Sequence, residues 1–280
     1  MTVPLFDYET PGYERIKETS LRYVHGMKWG DRPGRYRKEP DGDESFYGSY
    51  HGAQVLDLFG QLTAFSTDEL DEWADYIRDD QSEYGLFAGS PELRAQRPKL
   101  DGLEPYWHVT RGHLWALRIL HRAPRYPLEF IEPLLDAKRL YKWVKKYNWG
   151  NSWAAGNQVL ACATALMAQR DWFGADQVNS VLEHGMYPAL EELLDPETGY
   201  WGTQLGADLP NGLFGTIHVT PIYFAQGWPL RAANQNVDAT LACQLADGSF
   251  WPRGSDCPDF DGAYMMANLG ELTDYRREDL

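Results

Sequence analysis

Hydrophobic positions along the chain recur at helical rather than strand spacing. Apolar residues return every three or four positions in stretch after stretch, and runs of alternating β-branched residues are scarce. The periodicity predicts helices over 11–25, 47–62, 66–80, 108–120, 127–146, 151–170, 175–194, 216–225, 230–245 and 259–272. Ser66 and Glu69 form a capping-box pattern at the start of the third of these, and Pro127 sits where a first helical turn tolerates proline. Stretches 30–44, 91–104 and 203–214 are rich in Gly, Pro and Asp and read as loops. The segments alternate in character. Acidic, amphipathic helices are followed by small-residue, apolar ones that carry His, Asn and Tyr, as expected for outer and inner members of about five helical hairpins.

A short pattern punctuates that alternation: Gln or Asp, three residues, Gly, one residue, then Phe or Trp. It occurs as Gln81…Gly85…Phe87, Asp195…Gly199…Trp201 and Gln244…Gly248…Phe250. Each copy joins two predicted helices. A glycine that supplies positive φ and an aromatic that plugs the hairpin explain the pattern as a turn device. The predicted architecture is all-α, an α/α toroid of hairpins, closed or incomplete, in one domain over 1–280, since no composition shift marks a linker.

The copies at Gln81 and Gln244 resemble the QW motif of terpenoid cyclases and protein prenyltransferase β subunits, which are α/α toroids. The run from Pro258 through Asp259, Phe260, Asp261, Gly262 and Ala263 to Tyr264 is similar to the Asp-x-Asp-Asp-Thr-Ala run of class II cyclases. The resemblance implies that Asp261 protonates an alkene with Asp259 beside it. Gly262 and Ala263 depart from the family's Asp and Thr. The prenyltransferase resemblance implies a zinc held by Asp, Cys and His. Asp256, Cys257 and His218 supply the types but in the wrong order, and no metal or cofactor is predicted. The Asp195–Trp201 copy resembles a turn of α/α-barrel hydrolases and lyases that act on uronic-acid sugars.

Composition narrows the chemistry. The 280 residues carry a net charge of −15, which disfavours nucleic acid and anionic membrane surfaces. An acidic polymer would need a local basic patch such as Arg32, Arg35, Arg37 and Lys38. Three cysteines without a CxxC pair, no visible signal peptide and no apolar run near the ~20 residues of a membrane span predict a cytoplasmic protein. Aromatics make up 14% of the chain, enough to fill hairpin cores and also to stack on sugars.

Polar residues near the starts of the inner helices can converge at a toroid mouth. They are Tyr50 and His51; His108, Arg111 and His113; Asn151, Trp153 and Asn157; His218 and Tyr223; Asp256, Asp259 and Asp261. His, Asn, Tyr and Arg together suit β-elimination on a uronate-containing glycan. A cation or amide stabilises the enolate, a base removes the proton beside the carboxylate, and a phenol protonates the departing oxygen. The expected catalytic set is His218, Tyr223, Asn157, Asp261 and His108. Arg111, His113, Asn151, Trp153, Trp201, Asp259 and Tyr50 are expected to bind substrate. A hydrolase would need two carboxylates about 5–9.5 Å apart; Asp259 and Asp261 are too close in sequence to guarantee that, so one would need a partner such as Asp57 or Asp101. The alternatives are a cyclase-like enzyme using Asp261 on an isoprenoid, and a non-catalytic toroid that binds a glycan or a protein. Each residue also has a structural role available: Asn151 as an N-cap, Asp256 or Asp259 as a cap of the last helix, His108 and His113 at helix ends.

Overall fold

The computed structural model describes residues 12–89, 104–252 and 256–279, so the loop expected over 91–104, with Asp101, lies outside the described residues except for Glu104, which opens a helix. These residues are all-α. The long helices are α1 (Tyr13–Gly26), α2 (Phe46–Leu58), α3 (Thr67–Arg78), α4 (Glu104–Ile119), α5 (Ala137–Lys145) and α6 (Ser152–Phe173). Then come α7 (Val178–Val181) and α8 (Tyr187–Glu191) on either side of a π turn at Leu182–Met186, and α9 (Leu209–Gln226), α10 (Ala233–Cys243) and α11 (Asp256–Leu272). Among the described residues the only extended pairings are isolated antiparallel bridges.

Local chemistry accounts for most helix starts. The Ser66 hydroxyl accepts the Glu69 N–H while the Glu69 carboxylate accepts the Ser66 N–H, completing the capping box. Asp136 caps α5 through the Arg139 N–H. The helix expected from 127 therefore begins later, after a 3₁₀ segment at Glu129–Leu134. The loop expected over 203–214 is also shorter. Asp208 caps α9 by accepting the Asn211 N–H, and Pro210 falls in the first turn. Pro221 lies inside α9.

Two compact units are present: 1–132 with 167–175, and 133–166 with 176–280. In the first, α2 packs on α1, α3 and α4. Its core includes Ala53, Leu56, Trp73, Ile77, Leu114 and Leu117, all fully buried or nearly so. The Trp73 indole donates to Ser49 Oγ at 2.9 Å. In the second, α9, α10 and α11 pack on one another around Leu213, Phe214, Val237, Phe250, Met265 and Leu269.

The three turn copies share a hydrogen-bonded frame. In the first, Ser82 N–H donates to the Leu86 carbonyl and Gly85 N–H to the Ser82 carbonyl; in the third, Leu245 and Gly248 repeat this with Ser249 and Leu245. In the second copy Asp195 pairs with Tyr200, and Gly199 N–H reaches back to the Asp195 carbonyl. Asp195 therefore stands where Ser82 stands, Leu194 takes the glutamine's place, and the turn is one residue longer. The bridges Gln81–Phe87 and Leu194–Trp201 mark the same register. Gly85, Gly199 and Gly248 all have positive φ, at 86°, 71° and 88°. Phe87, Trp201 and Phe250 are buried, as plugs should be.

Candidate functional site

The N-terminal halves of α2 and α4 bring Tyr47, Tyr50, His51, His108 and Arg111 together within the first unit. A side chain at position 112 would meet the Tyr50 ring at 2.7 Å, so Gly112 is what lets α4 approach α2 this closely. The Tyr47 ring lies 5.0 Å from Tyr50, 4.5 Å edge-on to His51 and 6.2 Å stacked over His108. Arg111 Nη2 donates to His108 Nδ1 at 3.2 Å, which leaves the His108 proton on Nε2. The Arg111 guanidinium is largely buried and also lies 5.0 Å over the Trp115 ring.

Two groups in this cluster are chemically poised. Tyr50 is 3% exposed, and among the described residues its hydroxyl has no hydrogen-bond partner of normal geometry. Burial, reinforced by Tyr47 and opposed by Arg111, holds its pKa above the ordinary phenol value. His51 Nδ1 meets Gln54 Oε1 at 3.0 Å, which assigns the proton to Nδ1 and leaves Nε2 as an acceptor. Packing of the ring lowers the His51 pKa, an effect partly offset by Gln54 and aided by Arg111, although the residue keeps an exposed edge. The imidazole is therefore neutral at pH 7 and able to accept a proton. Tyr47, 39% exposed, presents its ring at the surface of the cluster.

Cations flank the cluster. Lys38 Nζ lies 5.5 Å from the Tyr47 ring centroid, and Arg37 stacks 4.9 Å over Trp29. Arg35 pairs with Glu44 and Arg32 with Glu72, so the basic patch seen in the sequence divides into two paired and two unpaired cations among the described residues.

His113 is buried one turn below. Its Nδ1 donates to the Val109 carbonyl at 2.8 Å, its Nε2 faces Asp80 Oδ2 at 3.4 Å, and Phe46, Tyr50 and Phe87 surround its ring. Asp80 in turn accepts the Gly89 N–H.

The remaining predicted residues belong to the second unit. Asn151 accepts the Ala154 N–H and so caps α6. Trp153 is 41% exposed beside Phe214, and Asn157 is half-buried farther along the helix. His218 donates from Nδ1 to the Phe214 carbonyl at 2.6 Å, next to the close approach of Gly156 to Gly215. Tyr223 is fully buried and donates to Glu191 Oε1 at 2.8 Å, while Arg231 holds the other Glu191 oxygen at 3.0 Å. Burial, with the Glu191 charge, raises the Tyr223 pKa. Trp201 is fully buried, its indole donating to the Leu190 carbonyl.

Asp259 accepts the Phe250 N–H at 2.6 Å and lines a groove of about 300 Å³ with Gln244, Phe250, Ala263 and Met266. Asp261 is 5% exposed and does not line it. Among the described residues no group of three His, Cys, Asp or Glu could hold a metal, and no helix is long and apolar enough to cross a membrane. Tyr47 and Gln54 went unnoticed in the sequence, because a tyrosine in an aromatic-rich helix reads as packing. No protein-family model, curated protein or solved structure matches the chain.

Proposed function

We propose that the chain is a carbohydrate-active lyase that cleaves a uronate-containing glycan by β-elimination at the α2–α4 cluster, and that its hairpins build an α/α toroid. The observation that carries the reading is the buried Tyr50 hydroxyl, which faces Tyr47 and has no hydrogen bond of normal geometry among the described residues, beside the Arg111 guanidinium, with the neutral His51 imidazole against the same rings. A buried donor without a partner costs roughly 1–3 kcal/mol, and an incoming carboxylate would recover that cost.

In this reading Arg111 and Tyr50 receive the uronate carboxylate and stabilise the enolate as charge moves onto it. His51 Nε2 removes the proton on the carbon beside the carboxylate. The electron pair forms the new carbon–carbon double bond as the bond to the β-oxygen breaks. The Tyr47 hydroxyl protonates that oxygen, and solvent returns a proton to Tyr47 and takes one from His51. His108 is held beside this group by Arg111.

The test is ultraviolet absorbance of the unsaturated product across a panel of polyuronates, with neutral glycans as controls. Turnover on at least one polyuronate is expected. His51→Ala should lower kcat by about 10²–10⁴-fold, the usual contribution of a positioned base. Silence across the panel would overturn the lyase assignment. Binding without turnover would favour a non-catalytic glycan-binding protein.

A further inference from the structure

We infer that the site continues onto Trp29, Arg37 and Lys38 as a second subsite, so that the substrate is a chain of adjacent uronates rather than a single acidic sugar. The inference rests on the lyase reading for the identity of the ligand. The geometry of the subsite is independent of that reading.

The loop before α2 is fixed in place rather than draped. Arg37 N–H donates to the Met27 carbonyl, Trp29 N–H to the Arg35 carbonyl and Ser45 N–H to the Tyr36 carbonyl. Bridges at Lys28–Tyr36 and Arg37–Glu44 tie its two limbs together. The loop then seats on the first turn of α2: a side chain at Gly48 would stand 2.3 Å from the Arg37 carbonyl oxygen. This seating puts Lys38 over Tyr47 and makes one continuous strip of Trp29, Arg37, Lys38, Tyr47 and His108. Trp29 and Tyr47, 36% and 39% exposed, offer two aromatic faces, each with a cation above it. Sugars stack on such faces, and cations beside them select acidic ones.

Charge placement supports the same ligand. The molecule is strongly acidic, and Glu39, Asp41 and Asp43 follow in the same loop. Yet among the described residues neither Arg37 nor Lys38 belongs to an ion pair, while Arg32 and Arg35 do. Arg37 is held through its Nη1 donation to the Pro40 carbonyl, which leaves its charge uncompensated. Two uncompensated cations on an acidic surface, next to a site built for one carboxylate, fit a ligand bearing a second and a third.

The experiment titrates oligouronates of increasing length against the wild type, Lys38→Ala, Lys38→Arg and Trp29→Ala, reading both intrinsic fluorescence and turnover. The wild type should bind longer chains more tightly. Lys38→Ala and Trp29→Ala should each weaken binding of the long chains by roughly fivefold, leave the shortest cleavable oligomer and kcat unchanged, and Lys38→Arg should restore long-chain binding. Equal affinity for short and long chains, or length dependence untouched by both alanine variants, overturns the subsite. Length-dependent binding lost in Lys38→Ala without any turnover would keep the subsite and overturn the lyase reading alone.

Discussion

His113 shows how a single buried side chain carries both structure and a pH signature. It is enclosed by Phe46, Tyr50 and Phe87, and among the described residues its only hydrogen bond of normal length goes to the Val109 carbonyl. Burial pushes its pKa down to about 4, an effect opposed by that hydrogen bond. The unfolded chain protonates near the ordinary histidine value of about 6.5, so it binds the proton first as pH falls. The stability this neutral imidazole supports is complete above about 6.5 and declines towards pH 4, by up to roughly 3 kcal/mol. Urea unfolding from pH 8 to pH 5 should show that decline, and His113→Gln should flatten most of it. An unchanged slope would mean that the histidine charges in the folded state with Asp80 as its counter-ion. Gly262 is another residue whose identity is dictated by packing. A side chain there would stand 2.3 Å from the Phe250 ring. The glycine that departs from the cyclase-like run thus sits where an aspartate has no room, and Gly262→Asp should cost at least 2 kcal/mol or so in thermal or urea unfolding.

At the scale of elements, the turn copies do more than reverse the chain. Gln81 donates to the carbonyls of Gly85 and Tyr126 and accepts the N–H groups of Arg125 and Tyr126, clamping its own turn to the segment that follows α4. In the third copy Gln244 donates to the Gly248 carbonyl. In the second, Asn236 from α10 supplies the bond to the Gly199 carbonyl instead. Gln81→Ala should therefore destabilise by about 2–4 kcal/mol, whereas Gln244→Ala, whose bond is near the surface, should cost about 1 kcal/mol or less in the same urea titration. Equal effects would refute the clamp. The helices, the capping box and the turn glycines were legible in the sequence because their causes lie within a few residues. The start of α9 was not, because Pro210, Asn211 and Gly212 are loop-forming residues whose helical role depends on the Asp208 cap. The residues of the α2–α4 cluster were nearly all visible as candidates, but their grouping was not. It depends on Gly112 meeting Tyr50, a contact between helices some sixty positions apart.

For the molecule as a whole, the acidic charge and the cationic strip make opposite demands on a polyanionic ligand. General repulsion is long-ranged and screened by salt, while the contacts at Arg111 and Lys38 act at short range. Binding of an oligouronate should therefore weaken only modestly between low and physiological ionic strength, and a steep gain in affinity at high salt would place the ligand elsewhere. Whether the α2–α4 cluster is the lyase site is tested by comparing three proteins on one polyuronate by the absorbance of the new double bond: wild type, Arg111→Ala and Tyr223→Phe. Turnover is expected in the wild type, with loss of at least about a hundredfold in Arg111→Ala and little change in Tyr223→Phe, whose hydroxyl is buried against Glu191. Turnover that survives Arg111→Ala and disappears in Tyr223→Phe would contradict that assignment.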